Sequence, residues 1–324
     1  MSSSRSPAGD TTASGRDASE PIDTGLDAVT GGFSYSGRWI AQALIEAGRS
    51  VRTLTGHPAR AGNDSPLEVA PLSFENPPAL VEALRGVTTL YNTYWVRFAA
   101  GGIDHDQAVT NSRTLFHAAR LAGVQRIVHV SITNPGIDSP YPYFRGKALV
   151  ERALAETGVP YAVLRPGILF GGNGVLLNNV AWLLRHLPAF AIGGRGDYRI
   201  RPIHVRDLAR LALEAGRDRN DSIVNAVGPE QPTFLEMVEM VRVAVGSRAR
   251  LVHVPGIAIP PLTRIAGMFL HDVLLTRDEY RAMVDGLADV DGPATGATAL
   301  STWTTDHAEE LGLRYANELE LHYR

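Results

Sequence analysis

One stretch constrains this chain more than any other. Leu26-Asp27-Ala28-Val29-Thr30 is a short apolar run, Gly31-Gly32-Phe33-Ser34-Tyr35-Ser36-Gly37 is a glycine-bearing turn, and residues 38–47 place Ile40, Ala41, Leu44 and Ile45 at helical spacing. A strand that passes through a tight turn into a helix needs a crossover, so the next strand lies parallel to the first. The alternation continues. Strands are expected over 51–54, 88–92, 126–131 and 161–165, with helices over 78–84, 107–121 (Leu115, Ala118, Ala119 and Leu121 inward) and 143–155. Short apolar strands separated by amphipathic helices predict an α/β fold with a parallel sheet covered on both faces.

The turn has a chemical reading. Gly31 suits a tight turn, Gly37 suits close packing of helix on sheet, and the helix start offers free N–H groups to a pyrophosphate. Ser34 stands where a glycine is usual, and its hydroxyl is a candidate phosphate partner. Phe33, Tyr35 and Arg38 complete the expected contact set there, with Asn92 and Thr93 after the third strand. An acid that would bond an adenosine ribose is absent from Val51-Arg52-Thr53-Leu54-Thr55-Gly56-His57-Pro58. Thr55, His57, Arg38 and Arg60 are the candidates for a ribose 2′-phosphate. This favours NADP, with NAD as the alternative.

Lys147 is the only lysine among 31 basic residues, so it sits where an arginine fork does not serve. Tyr143 precedes it by one helical turn, which puts both on one face. Ser131 ends the strand before that helix. A neighbouring ammonium favours a phenolate, so Tyr143 is the candidate acid-base, and Ser131 the group that holds a substrate oxygen.

Composition excludes several classes. The chain has no cysteine, which removes disulfides, thiolate metal sites and cysteine nucleophiles; no metal is expected. The formal net charge is −3, without a basic run for nucleic acid. Residues 1–24 are small and polar and read as a disordered tail with no apolar signal core. Residues 251–275 come nearest to a membrane span, but Pro255, Pro260, Pro261, Arg264, His271 and Asp272 interrupt them, and residues 260–275 are expected to form an apolar helical region. The expected setting is cytoplasmic.

With these residues placed, the chain resembles the short-chain dehydrogenase/reductase superfamily, most of all its atypical and extended NmrA-like and complex-I-accessory-subunit-like members. Thr30-Gly31 with Gly37 is similar to the family's Thr-Gly-x-x-Gly-x-x-Gly loop, and Ser34 departs from it. Ser131, Tyr143 and Lys147 match the catalytic serine, tyrosine and lysine, and Asn111 the helix asparagine that helps position the lysine and a water. Arg165-Pro166-Gly167 looks like the segment that reaches the nicotinamide. Residues 201–209 resemble the Pro-x-His-Val-Asp-Asp-x-Ala stretch that ties two lobes, with Arg206 in place of its first aspartate. His204 and Asp207 are therefore expected to be structural.

The resemblance implies a Rossmann-type doubly wound sheet over 25–172, with 196–227 returning to it, and a smaller interleaved substrate lobe from 173–195 and 228–324. Tyr94, Trp95, Trp182, Phe190, Met268 and Phe269 are candidates for an apolar pocket. The implied activity is NAD(P)H-dependent hydride transfer to or from a carbonyl or alcohol carbon of a small, apolar substrate. Sugar epimerisation or dehydration, a non-catalytic nucleotide sensor or assembly protein, and membrane-surface attachment through 251–275 are the alternatives.

Overall fold

The alternation becomes a seven-stranded parallel sheet in the computed structural model, which describes residues 25–62, 65–99, 102–172 and 174–322. Residues 1–24 lie outside the described residues. The chain runs β1 (Leu26–Thr30), α1 (Tyr35–Glu46), β2 (Ser50–Thr55), β3 (Glu68–Pro71), α2 (Pro77–Ala83) and β4 (Val87–Asn92). It continues through α3 (His105–Ala122), β5 (Arg126–Val130), α4 (Pro142–Ala155), β6 (Tyr161–Pro166), β7 (Leu169–Phe170), α5 (Val175–His186), β8 (Ala189–Gly193) and β9 (Ile203–His204). The rest is α6 (Val205–Arg217), β10 (Ser222–Ala226), α7 (Phe234–Ala244), β11 (Arg250–Val254), α8 (Ile259–Leu270), α9 (Arg277–Val284), α10 (Leu300–Asp306) and α11 (Glu318–His322).

Strand order is β3-β2-β1-β4-β5-β6-β10, so this is a Rossmann-type α/β fold. The order reverses between β1 and β4. In such sheets the crevice for ligands opens there, at the carboxyl ends of the strands. Helices α2, α3 and α4 cover one face through Leu80, Leu115, Phe116, Val150 and Leu154. Helices α1 and α6 cover the other through Ile40, Leu44, Leu208 and Ala212. A third apolar cluster joins α5 and α7 through Leu177, Val180, Leu184, Met237 and Val241. The Thr233–Glu236 capping box that opens α7 is formed in both directions.

Two local expectations change. Leu121 is 59 % exposed, because the inward stripe of α3 runs through Leu115, Ala118 and Ala119 and position 121 falls off it. The apolar region over 260–275 is not one helix. His271 adopts a left-handed φ of 51° and ends α8, and the chain then turns back along the crevice.

Candidate active site

The register of β1, β4 and β5 brings their carboxyl ends to one edge, where a buried polar row crosses them. Thr30 Oγ1 donates to Asn92 Oδ1 at 3.1 Å, and Asn92 Nδ2 donates to His129 Nδ1 at 3.1 Å. Thr30 Oγ1 also accepts the backbone N–H of Thr93 at 2.7 Å, which fixes the turn leaving β4. The Asn92 side chain, expected at the cofactor, is therefore engaged beneath the site, within the sheet. Burial, and then the charge of Lys147, hold His129 well below the usual imidazole range.

At the head of β1 the glycine turn is sterically required. Gly31 has φ of 65°, and a Cβ on Gly37 would stand 2.2 Å from the Gly31 carbonyl oxygen. Ser34 folds back on the turn, its Oγ donating to Gly31 O at 2.6 Å, so the hydroxyl is not aimed at a phosphate. The first residues of α1, Tyr35 and Ser36, border the crevice. The tight turn and the helix start beside it fit a dinucleotide pyrophosphate. Tyr35 anchors the far side by donating to Gly171 O at 2.7 Å. Phe33 is half-buried; Arg38 and His57 are exposed at the same edge, where Thr55 Oγ1 accepts the His57 N–H at 3.0 Å.

The proton-transfer group comes from β5 and α4. Lys147 is buried, and its Nζ donates to the Val130 carbonyl at 2.9 Å and lies 4.8 Å from the centre of the Trp95 ring. Burial pulls its pKa down to about 7, against the charge of Glu151. Trp95 also meets Tyr143 edge-on at 5.8 Å and stacks on His105 at 5.8 Å. Room for the indole comes from Gly146, where a Cβ would fall 2.7 Å from the ring. Ser131 Oγ donates to Glu151 Oε1 at 2.5 Å, and Arg165 grips both Glu151 oxygens at 3.0 and 2.6 Å. With its only proton committed, Ser131 is left to accept from a substrate hydroxyl rather than donate to a carbonyl. Asn111 sits apart from this group, donating to Tyr94 Oη at 2.8 Å and accepting from Gln107 at 2.9 Å.

Ser131, Tyr143, Lys147, Tyr35, Thr93 and Pro166 border one cavity of about 710 Å³. The loop between Ser131 and Tyr143 is held by the segment after α9: Asn134, at φ of 50°, donates to Leu287 O at 3.2 Å, and Thr133 donates to the same oxygen at 3.0 Å. Across the crevice Arg97 pairs with Glu279 at 2.5 Å and donates to Leu274 O at 2.9 Å. Of the side chains expected to line an apolar pocket, Trp95 alone borders this cavity among the described residues. Tyr94 bonds Asn111, Trp182 packs on Tyr315, Phe190 joins the third cluster, and Met268 and Phe269 are exposed. Further along the chain, Asp207 accepts the N–H groups of Ala297 and Thr298 at 3.1 and 2.8 Å, tying α6 to the segment before α10.

Sequence reasoning missed Glu151, Arg165 as its partner, and His105. For Glu151 a signal existed, since it stands one helical turn after Lys147. His105 offered none, because its place depends on how the turn after β4 packs.

Residues 31–178 match the family model described as NAD(P)H-binding. The chain is 23 % identical over 248 residues to the mitochondrial NADH dehydrogenase [ubiquinone] 1 alpha subcomplex subunit 9 of Arabidopsis thaliana, covering 70 % of this chain and 60 % of that one. It is 28 % identical over 189 residues to an NmrA-like family domain-containing oxidoreductase of Aspergillus flavus, 56 % of this chain and 58 % of the other. Among solved structures, Citrobacter sp. triphenylmethane reductase superposes with a TM-score of 0.72 at 19 % identity, over 88 % of this chain and 99 % of that one. The same reductase complexed with NADP(H) gives 0.71, at 19 % identity over 87 % and 99 %. Residues 31–178 thus match an NAD(P)H-binding domain, an NmrA-like oxidoreductase and a complex I subunit are among the relatives, and the fold is shared with the reductase. It spans less than two thirds of the Arabidopsis and Aspergillus relatives. No helix among the described residues is long and apolar enough to cross a membrane.

Proposed function

We propose that this chain is an NADP-dependent oxidoreductase that reduces a carbonyl, or oxidises the matching alcohol, on a small apolar substrate. One observation carries the reading: the glycine-turn helix start and the Tyr143–Lys147 pair border the same cavity. A nicotinamide, when bound, supplies or accepts the hydride. Tyr35, Ser36, Thr93 and Pro166 would hold that cofactor along the crevice, with Arg38, Thr55 and His57 toward its adenosine end.

The chain's own part is proton handling. Tyr143 Oη passes the proton to or from the substrate oxygen. Lys147, anchored on Val130 and under Trp95, provides a nearby cation whose lowered pKa keeps it titrating near neutrality. Ser131 shares the cavity with Tyr143, its rotamer fixed by Glu151, which Arg165 holds in turn. Asn111 acts at one remove, by fixing Tyr94 in the turn that presents Trp95.

NADPH and NADH titrations against wild type, Tyr143→Phe and Lys147→Ala test the reading, followed by a carbonyl-substrate screen. Tighter NADPH than NADH binding, with turnover lost in Tyr143→Phe while NADPH binding persists, is the expected result. Absence of binding by either nucleotide overturns it in favour of an assembly role.

A further inference from the structure

His105, the first residue of α3, stands beside two members of the proton-transfer group. Its ring stacks on Trp95 at 5.8 Å and meets Tyr143 edge-on at 5.7 Å between centroids, and all three border the cavity. It is half-buried at the start of its helix, within reach of solvent as well as of the cavity. The two ring nitrogens have different duties. Nε2 lies 3.3 Å from the Arg97 carbonyl oxygen, an atom that only accepts, so Nε2 carries the proton. In the neutral ring Nδ1 is then the bare nitrogen, and no hydrogen bond among the described residues engages it. An imidazole held in this way takes up and releases its second proton at Nδ1 alone.

Other polar groups near Tyr143 are engaged elsewhere. Ser131 gives its proton to Glu151, and Asn111 is shared between Tyr94 and Gln107. Tyr141 donates to Asp285, and Thr133 to Leu287 O. Lys147 is only 2 % exposed and held on Val130 O, so it has no path of its own to bulk water. The charges packed around His105 leave Nδ1 clear as well. Arg97 turns its guanidinium to Glu279 and Glu318, Asp104 caps α3 by accepting the Gln107 N–H, and Asp106 is exposed.

We propose that His105 is the proton relay of this site, its Nδ1 returning to Tyr143 the proton that each reduction removes. The proposal rests on the oxidoreductase reading. A carbonyl under reduction takes up a hydride from bound NADPH and a proton from Tyr143 Oη, which leaves a phenolate. The protonated imidazole gives its Nδ1 proton to that phenolate, and the neutral ring collects another from water. Alcohol oxidation runs the same transfers in reverse. Rings at this separation exchange a proton directly or through one water.

Two arms test it. Nitrogen NMR of the full chain, with the His105 signals assigned by their loss in His105→Gln, reads the ring without substrate. A protonated Nε2 and a bare Nδ1 are expected in the neutral ring; a bare Nε2 overturns the proposal whatever the catalysis. The second arm is NADPH-dependent reduction of benzil, an apolar diketone. His105→Gln, whose amide can still donate to Arg97 O, is expected to lower kcat about a hundredfold with KM within about twofold of wild type. His105→Ala should be as slow, and added imidazole should restore it about tenfold or more, whereas Tyr143→Phe stays inactive with imidazole present. Unchanged thermal melting shows that both His105 variants fold. Full turnover in His105→Gln beside an inactive Tyr143→Phe overturns the relay and leaves the oxidoreductase reading standing. A slow His105→Ala that imidazole does not rescue assigns the ring to packing and overturns the relay too. A wild type that neither binds NADPH nor reduces benzil overturns the oxidoreductase reading and the relay with it, even where the NMR spectrum is as expected.

Discussion

The Lys147 ammonium lies 4.8 Å from the centre of the Trp95 ring, its Nζ donating to the Val130 carbonyl. An aromatic face and one carbonyl are a thin substitute for water, so burial depresses its pKa to about 7. In the unfolded chain a lysine titrates near 10.4. Between those values the unfolded chain holds a proton that the folded chain has lost, so stability rises as pH climbs from about 7 toward 10. Below both values the lysine is charged in either state and the burial cost is fully present. Lys147→Met is expected to lack this rise. Urea midpoints at several pH values across that window check it; parallel curves for the two proteins would refute the assignment.

Ser131 and Arg165 both depend on Glu151. Removing that carboxylate leaves a hydroxyl and a guanidinium without their partner in a mostly buried place, though the Arg165 side chain keeps 28 % exposure and water relieves part of the cost. Glu151→Ala is expected to destabilise by about 2–3 kcal/mol, against about 1 kcal/mol for Ser131→Ala. Adding Arg165→Met to Glu151→Ala should recover part of the loss. Denaturant unfolding decides, and a double variant no better than the single would break the pairing argument.

Gly37→Ala sets two effects against each other. Alanine improves helix propensity by about 1 kcal/mol. Its Cβ would, however, stand 2.2 Å from the backbone oxygen of Gly31, an atom that cannot move without opening the turn. Overpacking of that kind costs roughly 1–3 kcal/mol and wins. The expected outcome is lower stability with NADPH binding reduced by more than about tenfold. Gly62→Ala, where an added Cβ meets nothing within 4 Å, is the control.

Much of this fold was legible because strand and helix periods differ and glycine marks the turn between them. Ile40, Leu44, Leu115 and Ala119 pointed inward as their spacing required. Short elements such as Glu68–Pro71 and Leu169–Phe170 carry too few residues to show a period. At the site, chain order identified Tyr143 and Lys147 as one face of a helix. It could not show that Trp95 would cover the lysine, since that contact joins separate elements and depends on Gly146 leaving space. Likewise Ser131 was readable as a hydroxyl at a strand end, whereas its proton's destination depends on Glu151 and Arg165 meeting across α4 and β6.

Arg38 offers the sharpest test of cofactor choice. It is exposed one turn into α1, the helix that follows β1, and the neighbouring parallel strand β2 ends in the Thr55–His57 turn, which has no acid. An exposed guanidinium contributes little to folding, so Arg38→Ala should leave stability within about 0.5 kcal/mol of wild type. A phosphate contact from the same group is charge-assisted and worth about 1.5–3 kcal/mol, or roughly tenfold or more in affinity. NADH lacks that phosphate. The variant is therefore expected to bind NADPH about tenfold more weakly while NADH binding is unchanged. Equal losses for both nucleotides would mean that Arg38 serves the shared pyrophosphate. No loss for either would move the 2′-phosphate contact to His57 or Arg60, which the same titration on His57→Ala and Arg60→Ala then separates.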